Sequence, residues 1–296
     1  MTTISLQDLA EKLAQGAALS RDEARVFAAA NDLVTVGMIA SDARARAVGD
    51  EVTFVRVAEV STAEPMPDGW PREATEVRLV GRPPTAEAAI AKAWAVRERA
   101  GATPVTAYSL TDLIELARDA EGLVSLARAL REAGVHSVAD VAIDKVPDMT
   151  LVHRVLDVGL GVQVARWSSA PGDAVAALRR LHDLQDATRA LRAFAPLAHT
   201  TRSDVVSTGY DDVRSVALAR VMLPNVPHVQ VDWQAHGAKL SQVALLFGAS
   251  DIDRAPAVDD ASLGVRRGAL EEVRRNIAAA SLRPAPRDGR FDRTAV

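Results

Sequence analysis

The sequence predicts an α/β protein whose strands form a TIM-type (βα) barrel, closed, partial or open. Short β-branched runs recur along the chain and alternate with helix-length segments, in which apolar residues repeat every three or four positions. Strands that alternate with helices form a parallel sheet, either doubly wound or closed into a barrel. A doubly wound dinucleotide fold needs a glycine-rich turn after its first strand, and the segment STAEPMPDGWPRE contains none. The barrel is therefore favoured.

The start of the chain shows helical rather than strand signals. Ser20, with Glu23 three positions later, is typical of a capping box at the start of a helix. We therefore expect residues 1–50 to form a helical N-terminal lead-in that packs on the barrel. Residues 51–296 are expected to form the barrel itself, with a C-terminal helix and tail.

Seven short runs mark the expected strands. They lie at residues 52–57, 76–80, 103–108, 135–143, 162–167, 192–198 and 228–233. Helical stripes of apolar residues lie between most of them, for example at 123–130, 175–184 and 240–247.

The amino-acid composition and net charge restrict the kinds of site and partner that we expect for this chain. The chain has no cysteine, which excludes disulfides, thiolate metal sites and thiol nucleophiles. A net charge of -4 and a pI near 5.9 give no basic surface for nucleic acid or anionic membrane, and we expect neither partner. The amphipathic, acidic start does not look like a signal peptide, so we expect a cytoplasmic protein. No metal and no cofactor are expected.

A specific pattern lies in residues 222–255. A predicted strand ends at Trp233 and is followed by Gly-x-Lys, by Gln242 and by a Phe-Gly-Ala-x-Asp turn at residues 247–251. This pattern resembles the radical SAM superfamily, in particular the aminofutalosine synthase and dehypoxanthine futalosine cyclase family of menaquinone biosynthesis. Two further stretches are similar to the same family: RAFAPLAH, and NDLVTVGMIASDARARAVGDEVTFV at its helical entry and first strand.

The resemblance implies a cofactor whose ligands this sequence lacks. In the family, the first strand leads into a CxxxCxxC loop, whose thiolates bind an iron-sulfur cluster that in turn binds SAM. Here the chain passes from Val60 to Glu76 through fifteen residues without a cysteine. We therefore expect a degenerate first βα unit that has lost the cluster loop and its outer helix.

Two other family features are replaced by bulky or charged residues. The paired glycines after the second strand become Gly81 and Arg82, and a Tyr-Gly-His segment after the fifth strand becomes Ala165, Arg166 and Trp167. By the resemblance, Arg82, Arg166 and Trp167 stand where SAM would lie, and we expect them to fill that site. The combination favours a catalytically degenerate member, a pseudoenzyme.

Polar residues near the ends of the last strands are candidates for a remaining site, because barrel enzymes place their chemistry at the C-terminal ends of their strands. The catalytic candidates are His199, Asp232, His236 and Asp251. The ligand-binding candidates are Trp233, Gln234, Asp253 and Arg254. A structural alternative is that Trp233 and Asp251 only fix loops to the barrel.

Three hypotheses about function stay open. The first is a non-catalytic protein that associates with a catalytically competent paralogue or another futalosine-pathway enzyme, or that holds a small nucleoside-like ligand. The second is an enzyme with non-radical acid/base chemistry on a nucleoside-like or aromatic substrate. The third is a scaffold unrelated to menaquinone. Because a missing outer helix would bare one face of the sheet, we also expect an oligomer, with an interface near residues 61–75 and Trp94.

Overall fold

The structure is a computed structural model that describes residues 4–169, 171–198, 209–258 and 269–294. Three helices precede the first strand: α1 (Leu6–Ala14), α2 (Arg21–Ala29) and α3 (Leu33–Val48). Ser5 and Ser20 begin the first two helices, each through a capping box with the acidic residue three positions later.

The rest of the described chain alternates strands and helices. The strands are β1 (Glu51–Ser61), β2 (Glu76–Val80), β3 (Val105–Ala107), β4 (Ser137–Val138), β5 (Val141–Ala142), β6 (Gly161–Val162), β7 (Val164–Arg166), β8 (Ala193–Ala195), β9 (His228–Asp232), β10 (Asp251–Pro256) and β11 (Arg283–Arg287). The helices are α4 (Ala86–Ala100), α5 (Leu110–Ala117), α6 (Ala120–Glu132), α7 (Thr150–Asp157), α8 (Ala174–Thr188), α9 (Gly209–Met222), α10 (Trp233–Leu246) and α11 (Ala269–Ala279).

The strands form a parallel barrel, which confirms the predicted fold. Hydrogen-bonded neighbours run in the order β5-β7-β8-β9-β10-β1-β2-β3-β4-β6. β4 and β5 are two parts of one strand interrupted at residues 139–140, and β6 and β7 are two parts of the next, interrupted at Gln163. Since β4 pairs with β6 and β5 pairs with β7, the two ends of this order meet. The barrel is nearly closed, and the N-terminal helices contact α8, α9 and α10 on its outside.

One barrel strand has no counterpart among the seven predicted runs. β10 lies between β9 and β1, although its sequence DIDRAP lacks the β-branched run typical of a strand. Ile252 is fully buried, whereas Asp251 and Asp253 form buried ion pairs. Acidic residues thus occupy positions where sequence patterns lead one to expect apolar side chains.

The connection between β1 and β2 contains no helix, as expected for a degenerate first βα unit. Residues 62–75, all of which the structure describes, form a loop that lies against α4. Lys92 Nζ donates to the backbone oxygen of Glu64 at 2.8 Å, and Arg99 donates to that of Pro67 at 2.7 Å. Trp70 packs against a small cluster of buried alanines, so the loop covers part of the sheet where a helix is missing.

The C-terminal tail covers the end of the barrel at which the strands begin. β11 pairs with the first half of β1, between Glu51 and Val55. Beyond it, the Phe291 ring lies 6.1 Å from the His228 ring and 3.8 Å from the Arg287 guanidinium. The barrel is therefore plugged at the N-terminal ends of its strands. Among the residues described, no helix is both long and apolar enough to cross a membrane.

Candidate functional site

A cavity of about 300 Å³ lies at the C-terminal ends of the barrel strands. We call it the mouth cavity. Residues of β1, β2, β7, β8, β9 and β10 line it, together with residues that follow β3 and β4. The C-terminal ends of the strands are where TIM-type barrels have their active sites. Its charged lining residues are Glu59, Arg78, Asp112, Asp140, Arg166, Asp232, Asp253 and Arg254.

A buried ion pair lies below the mouth cavity, inside the barrel. Arg287 Nε and Nη2 donate to the two Asp251 carboxylate oxygens at 2.6 and 2.8 Å, and both side chains are almost completely buried. Gln230 Nε2 donates to the same carboxylate at 2.7 Å, and the Thr53 hydroxyl donates to it as well. Burial alone would raise the pKa of Asp251, but the Arg287 charge and these hydrogen bonds lower it below the ordinary value. Asp251 is therefore an ionised structural anchor.

A second ion pair forms the floor of the mouth cavity. Arg78 donates to both Asp253 carboxylate oxygens, at 2.8 and 2.9 Å, and its Nε donates to Glu76 at 2.7 Å. Thr106 also donates to Glu76, at 2.5 Å. Burial opposes ionisation of Asp253, yet the Arg78 charge and hydrogen bonds bring the pKa of Asp253 down to about 2. The floor is thus fixed by charge-assisted, bidentate contacts.

Two further arginines are ion-paired at the rim. Arg254 lies 3.2 Å from Glu59 and 3.1 Å from Asp232, with its backbone in the left-handed region. Asp232 also begins α10, because its Oδ1 accepts a hydrogen bond from the Ala235 amide at 2.9 Å.

On the other side of the rim, Arg166 lies 3.0 Å from Asp140. The Ser109 hydroxyl donates to the same carboxylate at 2.7 Å. All three arginines of the mouth cavity are therefore matched with carboxylates of the wall.

Asp112 differs from the other acidic groups of the cavity. It lies in the first turn of α5 and makes no hydrogen bond or ion pair with any residue that the structure describes. Burial raises the pKa of Asp112, and the nearby Asp140 charge raises it further, while Arg82 and Arg166 act in the opposite direction. A carboxylate in this state can accept hydrogen bonds from a ligand or hold a proton.

The structure brings together four of the residues singled out from the sequence. Asp232, Asp253, Arg254 and Arg166 all line the mouth cavity. Each of them is already engaged with a protein partner, and none is an isolated functional group.

The other singled-out residues lie elsewhere. Trp233 is buried in the core, and Trp167 packs edge-on against Phe194 with the ring centres 5.1 Å apart. Gln234 is exposed, and Arg82 is exposed in an ion pair with Glu115 at 2.6 Å. His236 and Asp251 are not in the cavity wall, and His199 lies outside the described residues.

Several cavity residues were not predicted as site residues, chiefly Glu59, Arg78, Asp112 and Asp140. A signal for one of them exists in the strand EVRLV, where Glu76 and Arg78 alternate with apolar residues. Strands of a parallel barrel are buried on both faces, so two charges on one face point into the interior. For Asp112 and Asp140 the sequence pattern offers no comparable signal.

Comparisons with known proteins find similar sequences and similar folds. The family model described as the CofH/MqnC C-terminal region matches residues 193–295, which contain β8 to β11. The matched segment covers about a third of the chain. The chain is also 35% identical over 80 residues to the cyclic dehypoxanthine futalosine synthase of Streptomyces coelicolor, a match that covers 25% of this chain and 20% of that protein.

Two other relatives extend the similarity. The aminodeoxyfutalosine synthase of Thermus thermophilus is 36% identical over 83 residues, which cover 25% of this chain and 22% of that protein. A 5-amino-6-(D-ribitylamino)uracil--L-tyrosine 4-hydroxyphenyl transferase of Methanoculleus marisnigri is 28% identical over 160 residues, 49% of this chain and 43% of that protein. The matches thus span about a fifth of the futalosine enzymes and less than half of the transferase.

Solved structures share the whole fold. Methylornithine synthase (PylB) superposes with a TM-score of 0.69 at 14% identity, covering 95% of this chain and 97% of that one. The hydrogenase maturase HydG from Carboxydothermus hydrogenoformans gives a TM-score of 0.66 at 12% identity, covering 96% and 80%. The barrel therefore shares the fold of these two proteins.

The resemblance of the sequence to the radical SAM superfamily implies an iron-sulfur cluster and SAM, and the residues of this chain do not fit the cluster. Its ligands would be thiolates, and the chain has no cysteine. The loop after β1, residues 62–75, presents no thiolate, and among the described residues no group of three or more His, Asp or Glu is placed to hold a metal ion.

Proposed function

We propose that this protein is a catalytically degenerate relative of aminofutalosine synthase. In this proposal it binds a small polar molecule in the mouth cavity and performs no radical chemistry. It would act as a binding or partner protein linked to futalosine-pathway menaquinone biosynthesis.

The observation that carries the proposal is the altered start of the barrel together with its ion-paired interior. The β1 to β2 connection has no thiolate and no helix, while the mouth cavity keeps three arginines matched to carboxylates. Buried charges are costly unless they are paired, so a barrel that retains such a wall has kept a defined polar cavity. This combination supports ligand binding and argues against cluster-dependent catalysis.

Anaerobic reconstitution with iron and sulfide tests the loss of radical chemistry. We expect the purified chain to retain no stoichiometric iron and to produce no 5'-deoxyadenosine from SAM under reducing conditions. A family member that carries the CxxxCxxC motif, treated in parallel, serves as the positive control. A stable cluster in this chain, by visible absorbance and iron analysis, would refute the proposal.

Native mass spectrometry of the chain purified from its own cells tests ligand binding directly. We expect a bound small molecule that is released on denaturation. Co-purification of a tagged chain with a cysteine-bearing paralogue, at defined stoichiometry, would support the partner role. The expected cytoplasmic location and oligomer stay predictions.

Acid/base catalysis without radicals is the second candidate function. The observation that favours it is Asp112, a carboxylate in the mouth cavity whose pKa burial raises. Among the earlier candidates, Asp232 lies in the cavity but is ion-paired, and Asp251 lies below it. Chemical conversion of the co-purified molecule by the intact chain, abolished in Asp112→Asn, would favour catalysis over binding.

A further inference from the structure

The charged residues that line the mouth cavity do not balance one another. Five carboxylates and three arginines line it, so the wall carries an excess of negative charge when all of them are ionised. Each arginine is ion-paired with at least one carboxylate. The excess therefore lies on the acidic groups, and Asp112 is the lining carboxylate that has no partner among the residues that the structure describes.

A second acceptor faces the same space. Gln230 is 3% exposed and lines the mouth cavity, and its Nε2 donates to Asp251. Its amide oxygen accepts no hydrogen bond from the described residues. This oxygen is not among the fully buried side-chain atoms, so it is accessible from the cavity, where a ligand or water can donate to it.

We infer that the mouth cavity binds an organic ammonium ligand, whose cationic group pairs with Asp112 and whose further hydrogen-bond donor reaches Gln230. The inference rests on the proposed function, because it specifies the ligand that the cavity would hold. An anionic ligand would meet arginines that are already paired, and it would add to the excess negative charge. A protonated amine reduces the excess negative charge and gives Asp112 a partner.

Three probes of equal chain length and different charge test the inference. Cadaverine carries an ammonium at each end, pentane-1,5-diol is its neutral counterpart, and glutarate is its anionic counterpart. Each is titrated into the full chain at neutral pH and low salt, and binding is followed by calorimetry and ligand-observed NMR. We expect cadaverine to bind, and the diol and glutarate to show no binding at the same concentrations.

Variants then locate the binding. Asp112→Asn keeps the shape of the side chain but removes its charge, and we expect it to weaken cadaverine binding about tenfold, as for loss of a hydrogen bond to a charged group. Asp157→Asn is the matched control, because Asp157 is exposed at the end of α7 and lies outside the mouth cavity. It should bind cadaverine like the unmodified chain. Thermal melting confirms that both variants are folded.

The possible outcomes separate the inference from the proposed function. Binding of cadaverine that is equal in Asp112→Asn and the unmodified chain overturns the inference, and so does preferential binding of glutarate. In both cases a co-purified small molecule would leave the proposed function standing. Absence of binding by all three probes overturns the inference, and absence of any co-purified molecule overturns the proposed function as well.

Discussion

Replacing Asp251 by alanine should destabilise the protein strongly, because the change leaves Arg287 charged and unpaired inside the barrel. Arg287 and Asp251 are 1% and 0% exposed, and the carboxylate accepts hydrogen bonds from three side chains. Breaking a buried pair of this kind by removing one partner costs about 3–5 kcal/mol. For a chain of 296 residues, the unfolding entropy is about 0.6 kcal/mol per degree, so the Tm should fall by about 5–8 °C.

A surface pair on the same strand provides the matched control. Arg283, also in β11, donates to both carboxylate oxygens of Asp50 at 2.7 Å, but both side chains are more than half exposed. Exposed ion pairs contribute little to stability, so Asp50→Asn should leave the Tm almost unchanged. The two variants are compared by differential scanning calorimetry and by urea denaturation.

A double variant separates the unpaired charge from the lost contacts. Replacing Arg287 by methionine in the Asp251→Ala background removes the stranded charge, and we expect it to recover part of the lost stability. If Asp251→Ala lowers the Tm no more than Asp50→Asn, or if the double variant is less stable than the single one, the explanation based on a buried, uncompensated charge is wrong.

Three other predictions concern pH, a turn and a surface. Burial lowers the pKa of His228 to about 4 from an ordinary 6.5, so the unfolded chain binds this proton more tightly. The free energy of unfolding should therefore decline as the pH falls from 6.5 to 4, and the protonation of His228 accounts for about 3 kcal/mol of that decline. In His228→Gln, the urea midpoint should depend less on pH across the same range. Gly248→Ala should destabilise the protein by more than about 1 kcal/mol, because Gly248 has a φ of +98° and a Cβ there would lie 3.0 Å from the Ala40 carbonyl oxygen. The control is Gly69→Ala, where the added Cβ meets open space, and this variant should have the Tm of the unmodified chain. Trp94 is 50% exposed, and if it lies in an oligomer interface Trp94→Glu should lower the solution mass measured by light scattering, whereas an unchanged mass would remove it from the interface.

Local sequence signals predicted most of the elements. The capping box at Ser20 and the β-branched runs place helices and strands where the structure has them, because these signals act within a few residues. β10 was missed for a physical reason. Its inward positions are acidic, and they are stabilised by Arg78 and Arg287, which the local pattern of DIDRAP does not reveal.

The candidate site shows the same limit. The sequence drew attention to Asp232, Asp253, Arg254 and Arg166, and the structure places all four in one cavity because the strand ends converge there. It did not predict Arg78 or Asp112. Arg78 and Asp253 are 175 positions apart in the chain, and only the register of the barrel brings them together.

The sequence by itself therefore determined the alternation of strands and helices, the shortened connection after the first strand and the absence of thiolate ligands. These properties depend on residue type and local spacing. Only the tertiary structure decided the state of each carboxylate. Asp253, Asp232 and Asp112 are chemically identical, yet the first holds a bidentate arginine, the second begins a helix beside Arg254, and the third has a raised pKa. Burial and neighbouring charge produce these differences, and both are set by segments distant in the sequence.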